Sequence, residues 1–170
     1  MESGWSDTVR AAQAGDPGAF GRLVERHWCE MVRLARSVVG DAEAEDCVQD
    51  ALLSAWHALP SLADPERFRG WLARSVFRRA LRASRWKRLR SWFGLVPERV
   101  VRHEREAEID LARLMDSLPP RQRAVLHLTI VEEMSDREIG EVLSIDAGSV
   151  RAHRRRARQK LSSVYRKGDP

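Results

Sequence analysis

Residues 135–161 read SDREIGEVLSIDAGSVRAHRRRARQKL, and they decide the fold. Two short helical patterns are joined here by a tight polar turn. Ser135 and Glu138 have the S-x-x-E spacing of a capping box, so a helix is expected to start there. Ile139, Val142 and Leu143 give that helix an apolar face. Ser144-Ile145-Asp146 forms the turn, and Asp146 is placed to N-cap the next helix. The second helix carries Arg151, Arg154, Arg155, Arg156, Arg158 and Lys160. A short helix, a turn and a basic second helix make a helix-turn-helix, whose second helix fits the DNA major groove.

At 100° per residue the faces of that second helix separate. Val150, Ala157 and Leu161 fall on the side that packs. Gly148, Ala152, Arg155, Arg156 and Gln159 fall opposite, with Ser149 and Arg151 at the margins. Arginine has the fork geometry that reads guanine edges or grips phosphates. A solvated basic helix would explain the charge, but not the cap, the turn and the sidedness together. Arg154 falls on the packing side, where an aliphatic residue would be easier to explain.

The 170 residues leave room for one domain or two small ones, and 43% apolar content is enough for a core. The net charge of +5 hides strong patterning. From Arg67 to Arg90 the charges are Arg67, Arg69, Arg74, Arg78, Arg79, Arg82, Arg85, Lys87, Arg88 and Arg90, with no acid. From Asp41 to Asp50 they are Asp41, Glu43, Glu45, Asp46 and Asp50, with no base. Segregation of this kind points to one anionic partner and a second, different one. Cys29 and Cys47 have no metal-ligand spacing and imply no disulfide framework, which suits a reducing cytoplasm. No apolar run approaches a membrane span, and MESGWSDTVR lacks signal-peptide character. A cytoplasmic protein is expected, with no metal, cofactor, catalytic constellation or small-molecule substrate.

Apolar residues recur at helical spacing almost throughout, and nothing alternates as a strand does. A first helix is expected over about 6–14, ended by Gly15. Asp16-Pro17 reads as an N-cap with proline at the first helical position, opening a second helix that Gly40 closes. A third runs from about Ala42 to Leu59. Asp64-Pro65 repeats the start signal for a fourth, reaching about Lys87. Periodicity lapses between about Leu89 and Glu106. It resumes with Ile109, Leu111, Leu114 and Leu118, and Pro119-Pro120 restarts the chain into Ala124, Val125, Leu128 and Val131. The expected fold is all-α, with two small helical domains at 10–88 and 108–166 on a flexible linker at 89–107.

On the third helix Ala44, Val48, Ala51, Leu52, Ala55 and Leu59 cluster as a buried stripe. Opposite lie Asp46, Gln49, Asp50, Leu53 and His57. A solvated face accounts for the acids; an apolar anchor ringed by carboxylates also suits docking on a basic protein surface. The fourth helix buries Phe68, Leu72, Val76 and Ala83, and its other sides are nearly all arginine. Arg78, Arg82, Arg85, Lys87 and Arg88 can neutralise phosphates, and Trp86 can stack on unpaired bases or cover the end of the core. Trp71 reads as core. Two separate basic elements imply contact with DNA at two places.

AFGRLVERH, AEDCVQDALLSAW and FRGWLARSV resemble region 2 of the extracytoplasmic-function (ECF) group of bacterial sigma factors. SLPPRQRAVLHLTIVEEMSDREIGEVLSIDAGSVRAHRRRARQKL resembles region 4 of the same group. The resemblance covers nearly the whole chain. It implies two helical domains that bind core RNA polymerase and direct it to promoter DNA. It places Asp46, Gln49, Asp50 and Leu53 against the polymerase clamp helices. It places Arg151, Ala152, Arg155 and Arg156 on the −35 element, and the fourth helix with the preceding loop, roughly 57–68, on the −10 element. Departures fall at Ser75, Arg78, Arg79 and Arg82 of the fourth helix, at Ser144 for the usual turn glycine, and at Arg154 for an aliphatic residue. An anti-sigma factor is a further expected partner. Two alternatives stand beside this reading: a free-standing helix-turn-helix regulator, and a sigma-like decoy that titrates an anti-sigma factor.

Overall fold

The computed structural model describes residues 3–92, 114–115 and 117–165, and the regular structure among them is entirely helical. The α-helices are α1 (Ser3–Gln13), α2 (Pro17–Val39), α3 (Asp41–Ala58), α4 (Phe68–Trp92), α5 (Pro120–Ile130), α6 (Asp136–Leu143) and α7 (Ala147–Tyr165). Most of the expected linker, together with Ile109 and Leu111, lies outside the described residues.

Local chemistry sets most of these boundaries. Gly15 leaves α1 with φ +95°, a backbone conformation that glycine adopts without steric cost. The Asp16 carboxylate accepts from the backbone N–H of Gly18 at 2.8 Å and of Ala19 at 3.1 Å, and Pro17 occupies the first turn. Asp64 accepts from Glu66 N–H at 3.0 Å, but it opens a 3₁₀ turn, Pro65–Arg67, before α4 begins. α4 then continues to Trp92, five residues past the Lys87 at which the sequence suggests its end.

α2 is the central member. It packs against α1, α3, α4 and α5. Leu23, Met31, Leu34, Ala35 and Val38 are its fully buried stripe. Each such aliphatic side chain removed from water contributes about 1.5–3 kcal/mol before entropy is counted. The same hydrophobic cluster takes in Val48 and Ala55 of α3, Leu72, Val76 and Phe77 of α4, Val125 and Leu128 of α5, Ile139 and Leu143 of α6, and Val150 of α7. The two helical groups that the sequence separates therefore close on one core. A small satellite cluster of Leu118, Leu126 and Ala157 ties α5 to α7.

The seam between the groups is also ionic. Glu132, whose side chain is only 6% exposed, accepts from Arg33 Nε at 3.1 Å and Nη2 at 3.0 Å. Arg69 Nη2 lies 3.6 Å from the same carboxylate and His127 Nε2 lies 3.4 Å away. Arg69 Nε also donates to Glu30 at 2.8 Å, and His27 Nδ1 lies 3.6 Å from Glu30. Arg123 donates to the Val38 carbonyl at 3.0 Å, and Arg74 to the Ser144 hydroxyl at 2.9 Å. Burial raises the Glu30 pKa, but the hydrogen bonds and charges of His27 and Arg69 outweigh it and hold the carboxyl below its ordinary value. Burial pushes the His127 imidazole down, against the opposing pull of Glu132.

The helix-turn-helix closes tightly. Ser144 caps α6 in the left-handed conformation, φ 57° and ψ 49°. Gly140 faces the turn so closely that a Cβ there would stand 2.6 Å from the Ile145 carbonyl oxygen. That oxygen is backbone, so it has no rotamer through which to yield.

Gly140→Ala should therefore destabilise the fold by about 1–3 kcal/mol, in the range of other overpacking changes. A lowered thermal midpoint with unchanged helicity at low temperature would record it. Acid should also weaken the fold. The His127 pKa is lowered in the native state while the unfolded chain takes up a proton near pH 6.5, so this contribution to stability is intact above that pH and falls below it. His153 is shifted the same way by burial, and Glu30 adds to the loss at lower pH. Thermal midpoints measured from pH 7 to pH 5 should fall steadily, and His127→Gln should flatten part of that slope while leaving the share due to His153.

Candidate protein and nucleic-acid interfaces

The acidic face of α3 forms as the periodicity requires. Ala44, Val48, Ala51 and Ala55 point into the core, followed by Leu59 in the 3₁₀ turn Leu59–Ser61. Cys47 joins them, and Leu52 is half-buried. Asp46, Gln49, Leu53 and His57 are exposed on the opposite side. Leu53 is 67% exposed, a large apolar side chain left open on a helix with a complete core stripe behind it. Asp50 is half-buried and is not free. Arg79 of α4 donates to its carboxylate.

α4 carries the opposite charge. Phe68, Leu72, Ala73, Val76, Phe77 and Ala80 are buried, while Ala83 is half-buried. Arg78, Arg82, Arg85, Trp86 and Lys87 are exposed. Trp86 is 66% exposed, so it does not cover the end of the core. Trp71 packs at the core edge, its ring 6.0 Å from Phe68, as the sequence suggests. Lys87 is held back by Glu43 of α3 at 3.0 Å. The Arg88 side chain lies outside the described residues. Arg79–Asp50 and Lys87–Glu43 thus join the cationic helix to the acidic one along their length.

The segment between α3 and α4 is anchored from a distance. Gln13 of α1 donates through Nε2 to the carbonyls of Leu62 at 2.7 Å and Leu59 at 3.2 Å. No sequence signal marks Gln13, because its partners lie 46 and 49 residues away. Behind the segment, the Phe20 and Trp56 rings meet at 5.0 Å.

In the helix-turn-helix the capping box forms at both ends. Ser135 Oγ accepts from Glu138 N–H at 3.3 Å, and Glu138 accepts from Ser135 N–H at 2.8 Å. Asp146 caps α7, accepting from Ser149 N–H at 2.8 Å and from the Ser149 hydroxyl at 2.6 Å. Those bonds hold the Asp146 carboxyl below its ordinary pKa. They also occupy Ser149, so its hydroxyl serves the cap and only its flank lies at the edge of the outer face. Val150 and Ala157 are buried. Arg151, Arg155, Arg156 and Gln159 are exposed, with Ala152 half-buried among them. Arg154 finds a partner that the helical wheel does not reveal. Its guanidinium donates to both Asp136 oxygens, at 2.7 and 3.2 Å.

Among the described residues no group of three or more His, Cys, Asp or Glu side chains could hold a metal ion, and no helix is long and apolar enough to cross a membrane. Among the described residues the chain exposes one acidic face with an apolar centre and two cationic helices, one bearing an open tryptophan.

Residues 23–90 match the family described as Sigma-70 region 2, and residues 108–161 match Sigma-70, region 4. The RNA polymerase sigma factor CnrH of Cupriavidus metallidurans is 34% identical over 94% of this chain and 94% of its own length. The ECF RNA polymerase sigma factor SigM of Mycobacterium tuberculosis is 30% identical over 94% of this chain and 83% of its own. The solved structure of CnrH in complex with the cytosolic domain of CnrY superposes with a TM-score of 0.73, covering 97% of this chain and 99% of that one, at 30% identity. The sigma factor RpoE, solved with the anti-sigma factor NepR from Bartonella quintana, shares the fold at 21% identity and a TM-score of 0.70, over 89% of this chain and 98% of that one. With both family regions present in order and relatives matched nearly end to end, this chain belongs to the ECF group of RNA polymerase sigma factors, which bind core RNA polymerase and direct it to promoter DNA.

Proposed function

We propose that the outward side of α3, centred on Leu53, is the surface that grips core RNA polymerase. The single observation behind this is Leu53 itself, an exposed apolar side chain flanked by Asp46, Gln49 and His57 on a helix whose core face is already satisfied. Burial of the leucine supplies affinity, and the carboxylates steer the encounter with a basic partner. Asp50 contributes from within its pair with Arg79, so the docking face and the cationic helix behind it move together.

The two DNA contacts follow the domain division at 10–88 and 108–166. In the first domain, Arg78, Arg82 and Arg85, with Lys87 and Arg88, neutralise phosphates near the −10 element while Trp86 stacks on an unpaired base. In the second, α7 enters the major groove of the −35 element with Arg151, Ala152, Arg155, Arg156 and Gln159 outward and Ser149 at its margin. The nucleotide chemistry belongs to the polymerase; this chain selects where it begins, in the cytoplasm where the enzyme works. An anti-sigma factor is a further partner. The complex of CnrH, 30% identical to this chain, with the cytosolic domain of CnrY supports a protein partner of this kind.

Asp46→Arg combined with Leu53→Ala should weaken co-migration with core polymerase at least tenfold without lowering the thermal midpoint, because both side chains are exposed. Asp50→Arg is a poorer probe, since it also sets two arginines against each other. Unchanged co-migration of the double variant, measured at low ionic strength, would remove α3 as the docking helix. Arg155→Ala and Arg156→Ala should each weaken upstream-element binding, with a base-reading arginine contributing about 1–3 kcal/mol of discrimination. Run-off transcription on sheared genomic DNA with mapped start sites supplies the promoter on which to measure this.

A further inference from the structure

Along α7, Arg151, Arg154, Arg155 and Arg158 recur at i, i+3, i+4 and i+7, and all four line one groove on the helix surface. Like charges at these spacings repel, and long unpaired guanidinium chains sample many rotamers. Among the described residues one carboxylate reaches this row. Asp136, in the first turn of α6, holds Arg154 through the two-pronged pair at 2.7 and 3.2 Å. Its Oδ2 also lies 3.6 Å from Arg151 Nη1. The Arg154 and Asp136 side chains are 23% and 24% exposed, whereas Arg151 is 62% exposed. Asp136 thus does two things at once. It occupies Arg154 in a bidentate pair, and it stands at ion-pair distance from Arg151 while leaving that guanidinium largely open.

We propose that Asp136 is a positioning residue for promoter recognition, aiming Arg151 at a single base pair of the upstream element and keeping Arg154 out of the readout. This rests on the assignment of α7 as the recognition helix. Asp136 does not touch DNA; it limits the rotamers from which Arg151 approaches a base edge. Bidentate readout of guanine requires both prongs in the plane of the base, so a tethered arginine discriminates where a free one merely adds positive charge. Without Asp136 two further cations are released toward phosphate. Non-specific binding then rises, and the salt dependence of binding steepens by about 0.9 in the log–log slope per added phosphate contact.

The test uses holoenzyme reconstituted from core polymerase and the full chain. Start sites mapped on sheared genomic DNA define a promoter, and duplexes carrying each base at each upstream position are then transcribed. Arg151→Ala identifies the position that Arg151 reads. Asp136→Asn should reduce preference at that same position at least tenfold, leave preference elsewhere intact, and strengthen binding to a scrambled duplex at low salt. Asp136→Glu should restore the preference. Arg154→Met, which keeps the packing, should leave it in place. The proposal is overturned if Asp136→Asn retains discrimination at that position, or if it lowers initiation equally on every duplex together with the thermal midpoint. It is overturned as well if Arg154→Met abolishes the preference as fully as Asp136→Asn, or if Arg151→Ala alters no position. A wild-type holoenzyme with no upstream preference at all would instead remove the recognition-helix assignment on which the proposal stands.

Discussion

Burial of one side of α2 is the constraint on which the rest of the molecule depends. Leu23, Met31, Leu34, Ala35 and Val38 form a floor on which α1, α3, α4 and α5 all rest. A helix as cationic as α4 has no reason to stay folded on its outer residues alone. It is helical because Leu72, Val76 and Phe77 are removed from water against that floor. The same holds for α3, whose acids would otherwise repel one another. Function here is written on the outside of helices whose geometry is dictated from the inside.

Charge is arranged on that scaffold in two ways. Some side chains are paired and fix one element to another: Glu132 with Arg33, Asp50 with Arg79, Glu43 with Lys87 and Asp136 with Arg154. Others remain open, including Asp46, Arg78, Arg82, Arg85, Arg155 and Arg156. The paired set is mostly half-exposed, so each pair adds little to stability, but together the pairs settle which charges are free to meet a partner. A net charge of +5 says nothing of this division.

The helix starts were legible because their chemistry is local. Asp16-Pro17, Asp64-Pro65, Ser135 with Glu138, and Asp146 each bond within three residues of themselves. The apolar stripes of α3 and α7 were legible from spacing alone. The ion pairs were not. Glu132 and Arg33 stand 99 residues apart, and Gln13 stands 49 from Leu62, so no window of sequence contains both partners. Arg154 is the instructive case. On a wheel it is a misplaced cation; in three dimensions it answers Asp136, 18 residues earlier. Closure of the two helical groups on a common core was illegible for the same reason, since either set of apolar stripes could equally have been satisfied by its own domain.

That common core carries a consequence of scale. A compact body the size of the described residues has a radius of gyration of about 14 Å and so spans roughly 40 Å. Two promoter elements about 25 base pairs apart lie roughly 85 Å apart along straight B-form duplex. A body of that span is shorter than the distance between the two elements that the proposed contacts would occupy. Contact with both elements at once, as proposed above, would require the halves to part, stripping Val125, Leu128, Ile139 and Leu143 from their cover until other apolar surface shields them.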